Sequence, residues 1–157
     1  MEFTDSILQI YSSQIIISAE IKQMLLATAV GILMGTERGL LRKAATYRTF
    51  AIITVGSCIY TLLSVNASVA AASAGTHYDV TRIAAQIVTG IGFVGAGVIF
   101  KIGDKIEGVT TAAMIWLAAA IGMACGFNQI GIVYAGVIIF CCLELFAHVF
   151  RKVTRKK

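Results

Sequence analysis

Residues 82–113 read RIAAQIVTGIGFVGAGVIFKIGDKIEGVTTAA, and this stretch decides the fold. From Ile83 to Phe100 no residue carries a formal charge. As a helix, that run would be roughly 27 Å long, about one bilayer core. Gly90, Gly92, Gly95 and Gly97 fall within it. Each glycine weakens a helix in water by about 1 kcal/mol relative to alanine, whereas in lipid small residues let a neighbouring helix approach closely. At 100° per residue, Arg82, Ala85, Gln86, Thr89, Gly90, Gly92, Ala96 and Gly97 share one broad arc. Ile83, Ile87, Ile91, Val94 and Val98 fill another. The spacing predicts a small-and-polar packed face and a bulky lipid-facing one. Lys101–Glu107 reads as a tight charged turn, and Gly108-Val-Thr-Thr opens the next helix.

The rest of the chain agrees with a membrane setting. Of its 157 residues, 58% are hydrophobic and only 13% charged, against about 25% charged in soluble domains. The fold class is therefore an all-α integral membrane protein, a bundle of about five transmembrane helices. Residues 1–20 read as an N-terminal interfacial segment with Phe3, Ile7, Ile10 and Tyr11 at helical spacing. Residues 21–150 form the five-helix domain, and 151–157 a basic tail. The expected spans are about 23–41, 49–65, 83–100, 109–126 and 130–150, with residues 66–81 a loop. The acidic N-terminus carries no evident cleavable signal.

Orientation follows from the basic residues. Eleven of thirteen, from Arg38 and Arg42 to the tail, fall on one side of such a bundle, and only Lys22 and Arg82 on the other. The positive-inside rule then puts the N-terminus outside and the C-terminus in the cytoplasm. The same clustering at helix ends accounts for the net charge of +5 through lipid rather than nucleic acid. A shift of 61 residues aligns Thr28 with Thr89, Gly31 with Gly92, Gly35 with Ala96 and Thr49 with Thr110, a weak parallel repeat of two hairpins.

Candidate functional residues are the polar groups at membrane depth, where an ionisable side chain is costly and a role is the default hypothesis. Glu37 and Arg38 end helix 1, and Arg48-Thr49 opens helix 2 close enough for Arg48 to reach Glu37. Asp79 is placed to pair with Arg82 locally, and Gln86, one turn deeper, should seek an interhelical hydrogen bond. Thr110 and Thr111 can cap helix 4, whose N-terminus attracts anions. Glu144 can pair with His148, four residues on. Gly31, Gly35, Gly90, Gly92, Gly95 and Gly97 are the helix-packing or partner-binding positions. Cys58, Cys125, Cys141 and Cys142 lack metal-ligand spacing and read as small apolar side chains. No metal site, cofactor or catalytic constellation is expected.

These motifs resemble the MgtC/SapB family of bacterial membrane proteins. The resemblance covers about residues 25–126 and rests on GTERG at 35–39, YRTF at 47–50, DVTRIAAQIVTGIGFVGAGVIF at 79–100 and GVTTAA at 108–113. It implies an inner-membrane protein of about five spans, tied to virulence, acid stress and growth in low magnesium by modulating other membrane proteins. Phe50 stands where the family often has histidine, and Glu107 where a basic residue is usual. The long members carry a C-terminal soluble domain, so the resemblance implies the short SapB or YhiD type. The expected function is a non-enzymatic modulator whose partners are the bilayer and either another copy or a different membrane protein. The alternative is an ion- or proton-conducting component.

Overall fold

The computed structural model describes residues 2–40 and 45–154, with side chains over 18–39 and 45–153. Five helices and one short hairpin follow in order: α1 (Glu2–Leu40), α2 (Tyr47–Ser73), α3 (Thr81–Ala96), β1 (Phe100–Ile102), β2 (Lys105–Glu107), α4 (Val109–Gly126) and α5 (Ile130–Thr154). The helical membrane class holds. Among the described residues, α2, α4 and α5 are each long and apolar enough to cross a bilayer. α3 is apolar but has only 16 residues.

Two element boundaries differ from the sequence reading for the same reason. Residues 1–20 were expected as a separate segment, yet α1 runs unbroken for 39 residues, about 58 Å. No glycine or proline precedes Gly31, so nothing local stops the helix. Likewise, α2 continues through the expected loop to Ser73, because that stretch is rich in alanine, the best helix former. It ends two residues before Gly75, which adopts φ +72°.

α2 lies between α1 and α4, and glycines set both contacts. A Cβ on Gly31 would strike the Thr54 hydroxyl and lie 2.6 Å from the Ala51 Cα, and one on Gly35 would strike the Tyr47 backbone. On the other side, a Cβ on Gly122 would collide with the Thr54 carbonyl, and one on Gly126 would lie 2.6 Å from the Thr61 Cβ. Both pairs are four residues apart, one turn along a helix face. Such contacts replace the hydrophobic drive that lipid removes. The stripe of α2 that meets them is polar: Thr54, Ser57, Thr61 and Ser64 are all buried. Thr54 donates to the Phe50 and Ala51 carbonyls at 3.1 and 3.0 Å, Thr61 to Ser57 at 2.8 Å, and Ser64 to Val80 at 2.8 Å. The Thr54, Thr61 and Ser64 hydroxyls are thus satisfied without water, as burial demands. Met34, Phe50, Cys58, Ile115, Ala118 and Cys125 fill the centre of this three-helix core.

α3 packs on its other face from the one expected. Ile83, Ile87, Ile91 and Val98 are the partly covered positions, and Gly95 is buried against Ala112, whose carbonyl lies 3.6 Å from a Cβ built there. Gly90 and Gly92 are exposed, with nothing within 4 Å of a built Cβ, and Phe93 is 84% exposed. The isoleucines bridge to α2 and α4, where a wide gap has to be filled. The glycine arc, apart from Gly95, looks outward.

The expected span 83–100 is also cut short. The chain leaves the helix at Gly97, turns, and pairs Phe100 with Glu107, Lys101 with Ile106 and Ile102 with Lys105. The turn is Gly103-Asp104, with Gly103 at φ +59°, the conformation a two-residue hairpin loop requires and glycine supplies. Gly108 then starts α4 at φ +91° directly beneath the Val98 carbonyl, which any Cβ would strike. This single glycine locks the hairpin base onto the start of α4.

α4 spans 109–126 and α5 begins at 130, as the sequence predicts. Asn128 joins them at φ +56°, a left-handed turn that asparagine tolerates. α5 touches α4 through Val133 and Phe140, which are buried, and through Gly136, where Ile121 lies 3.3 Å from a built Cβ. Most of α5 faces outward: only 11% of its apolar span is buried in the molecule, against 56% for α4.

Candidate functional site

The end of α1, the end of α5, the start of α4 and the hairpin meet at one end of the bundle. Glu37 and Arg38 occupy the last turn of α1. Glu144 and Arg151 are seven residues apart on α5, two turns, and so share a face. The four form an alternating chain. Arg38 Nη2 donates to Glu144 Oε1 at 3.1 Å and lies 3.7 Å from Glu37 Oε2. Arg151 Nη2 donates to Glu37 Oε1 at 3.0 Å, while its Nε donates to the Ala147 carbonyl at 3.2 Å. Two arginines and two glutamates leave no net formal charge.

Burial in the cluster is graded. The Arg38 side chain is 6% exposed, Glu144 21%, Glu37 30% and Arg151 51%. Arg38 Nε, Glu37 Oε2 and Glu144 Oε2 are buried and accept or donate no hydrogen bond. A buried guanidinium that lost its carboxylates would be costly, about 3–5 kcal/mol. The cluster is also what holds the end of α5 to α1, since the apolar contacts of α5 run to α4. Beside it lies a cavity of about 620 Å³. Arg38, Glu144 and Arg151 form one wall, the first turn of α4 a second, and Phe100, Ile102 and Ile106 of the hairpin a third.

The sequence brought only part of this together. Glu37, Arg38 and Glu144 do meet. Arg48 does not join them: it is exposed, and the partner of Glu37 is Arg151, which sequence reading left in the tail. Thr49 is half-buried nearby in sequence but takes no part. Glu144 pairs with Arg38 instead of His148, which is exposed. The i, i+7 spacing of Glu144 and Arg151 was the available signal. Gly122 and Gly126, four apart on α4, carry the same small-residue signal as Gly31 and Gly35.

The remaining candidates lie apart from the cluster. Asp79 makes no ion pair with Arg82. Its Oδ1 accepts from the Thr81 N–H at 2.9 Å and the Thr81 hydroxyl at 2.7 Å, capping α3. Those two donors, the hydroxyl first, hold the Asp79 carboxyl below its ordinary range. Gln86 is exposed and lines an apolar groove between α2 and α3 with Tyr60 and Gly90, so the expected interhelical hydrogen bond is not made within the chain. Thr110 and Thr111 do not cap α4, whose N-cap is Gly108 without a side-chain bond. Cys58 and Cys125 are buried, and Cys141 and Cys142 exposed. Among the described residues no group of three His, Cys, Asp or Glu side chains could hold a metal.

A helical membrane bundle closed at one end by a neutral, partly buried quartet of charges is the class of protein defined here. The sequence model of the MgtC family matches residues 24–153, and the chain belongs to that family. It is 40% identical over 125 residues to Protein MgtC of Salmonella typhimurium LT2, covering 80% of this chain and 51% of the relative. It is 40% identical over 134 residues to Protein SapB of Bacillus subtilis 168, covering 82% and 56%. It is 41% identical over 129 residues to the "Putative magnesium transporter YhiD" of Escherichia coli K12, covering 80% and 59%. The chain therefore spans between half and three-fifths of these relatives, and length does not separate SapB and YhiD from MgtC as the resemblance implied. No solved structure matches.

Proposed function

We propose that the protein is a non-enzymatic modulator of other membrane proteins, set in the bacterial inner membrane with five spans, N-terminus outside and C-terminus in the cytoplasm. The observation that carries this reading is α5. It is a 24-residue apolar span with only 11% of its surface-forming stretch covered by its own chain. Ile138, Leu143, Leu145 and Phe146 stand open along it. In a bilayer such a helix meets lipid or a second transmembrane helix, and its cytoplasmic end is set by the Glu37–Arg38–Glu144–Arg151 quartet. The quartet is a two-sided latch: a partner that draws Arg151 or Glu144 away frees α5 from α1.

The orientation is supported by Arg48, Lys101, Lys105 and Arg151, which share the quartet's end of the bundle. A transport component is the second reading, favoured by ionisable groups at membrane depth and by the printed name of the Escherichia coli relative.

Two measurements decide. Purified protein in liposomes with entrapped magnesium- and pH-sensitive dyes should give background flux. Glu37→Gln should insert and fold yet fail to support growth in low magnesium or acid. Ion flux from the protein alone that Glu37→Gln abolishes would hand the site to transport. Normal growth with that variant would remove Glu37 from the mechanism.

A further inference from the structure

We infer that the start of α4 binds a phosphate group in the 620 Å³ cavity beside Arg38. α4 has 18 residues and its N-cap, Gly108, has no side chain to satisfy the helix end. The Ala112 N–H is bonded to the Gly108 carbonyl at 2.9 Å. The N–H groups of Val109, Thr110 and Thr111 precede it and have no helical acceptor, so they present partial positive charge to the cavity.

A second observation is independent of the helix end. Thr111 is 4% exposed and lines the same cavity. Its hydroxyl makes no hydrogen bond among the described residues, whereas Thr54 and Thr61 each bond back to their own helix. The residue is enclosed, but its hydroxyl has no partner among those residues, so a group in the cavity can supply one. Arg38 also lines the cavity, where its guanidinium, bonded to Glu144, brings positive charge to a second wall.

The charged side chains on the cavity wall, Arg38, Arg151, Glu107 and Glu144, sum to zero, and Glu37 behind the arginines adds one negative charge. The attraction for an anion therefore comes from the helix end and the Thr111 hydroxyl. Arg151 is half-exposed and lines the cavity while bonded to Glu37. The donors differ in kind: backbone amides and a hydroxyl from the first turn of α4, and a guanidinium from α1. A tetrahedral group with several acceptor oxygens satisfies all three, and chloride or a flat carboxylate does not. The hairpin wall is apolar, with Ile102 and Ile106 about two-thirds exposed. That wall suits the stem of a phospholipid, and the polar floor suits its headgroup phosphate or free phosphate alike. The site does not depend on the modulator reading, because binding is a property of the purified chain.

The test uses the full chain, delipidated in a mild detergent, and follows its melting midpoint at constant ionic strength. The titrants are sodium chloride, inorganic phosphate, and micelles doped with phosphatidic acid or, as control, phosphatidylcholine. A phosphate titrant should raise the midpoint where chloride does not. Its apparent affinity should fall at least fivefold in Thr111→Val and return in Thr111→Ser. A response to phosphatidic acid alone identifies a lipid headgroup, and a response to inorganic phosphate alone a soluble ligand. If Thr111→Val does not fold, Thr110→Val on the same cavity wall carries that arm and should weaken binding. No response beyond chloride and phosphatidylcholine, or full-strength binding by the threonine variants, overturns the inference.

Discussion

The bond from Arg38 to Glu144 joins residues 106 positions apart, and its strength can be isolated by a double-mutant cycle. Charges 3.1 Å apart attract by about 5 kcal/mol at an effective dielectric constant of ~20. Desolvation opposes that gain by several kcal/mol per ion when burial is complete. Here Arg38 is almost fully buried but Glu144 is 21% exposed, so part of its hydration survives. A net coupling of about 1.5–3 kcal/mol follows, the range for hydrogen bonds to charged groups. Glu144→Gln alone should destabilise by about 2–4 kcal/mol, a little under the cost of a wholly unpaired buried charge, because Glu37 still faces Arg38. Arg38→Gln and the double variant complete the cycle. The assay is unfolding by a denaturing detergent in mild micelles, followed by the fluorescence of the single tryptophan, Trp116. A coupling below about 0.5 kcal/mol, with all variants folded, would place the pair among exposed surface bridges and refute the latch.

Gly122→Leu should lower the thermal aggregation temperature markedly, since its Cβ meets the Thr54 carbonyl and the Ser57 Cβ, and overpacking costs about 1–3 kcal/mol. Gly92→Leu should be nearly silent, and equal losses from both would show that the glycine face of α3 is covered. Cysteine at Ser73, in a background with Cys141 and Cys142 replaced by serine, should react with an impermeant thiol reagent from outside the cell. Cysteine at Asp104 should not, and the reverse pattern would invert the topology. The Asp79 carboxyl is held down by Thr81, so its cap contributes fully above the ordinary aspartate value of 3.8 and is lost as pH falls below it. Hydrogen exchange at the Thr81 amide, corrected for intrinsic rate, should lose protection in that window; constant protection to pH 2 would show that the cap does not matter.

The membrane class and the bounds of α4 were legible because they rest on runs of apolar residues ended by glycine. The hairpin was not read, although Phe100-Lys-Ile-Gly-Asp-Lys-Ile-Glu alternates and centres on Gly-Asp, a hairpin signal. The unbroken apolar count through Phe100 overrode it. Helix ends in alanine-rich polar stretches were also misjudged: residues 66–73 look like a loop by polarity and like a helix by propensity, and propensity won. At the charge cluster, Glu37, Arg38 and Glu144 were visible as costly groups at membrane depth. Their pairing was not, because it depends on how α5 returns past α1, which no local spacing encodes.

The reversal on α3 has a more general cause. In water, the bulky face of a helix is the buried one, and pattern alone names it. In lipid, bulky and small faces are both tolerated outside, so the pattern says only that two faces differ. What decides is the neighbour. Gly31 and Gly35 of α1, and Gly122 and Gly126 of α4, close onto the backbone of α2, and close contact needs glycine. α3 stands further from α2 and leaves a groove lined by Ile52, Tyr60, Ile83 and Ile87, so isoleucines are needed to bridge and glycines would leave a void. The one exception obeys the same rule: Gly95 is buried because α3 comes nearest α4 there, beside Ala112. Side-chain size on a membrane helix thus reports interaxial distance, and the direction of the partner has to come from elsewhere in the chain.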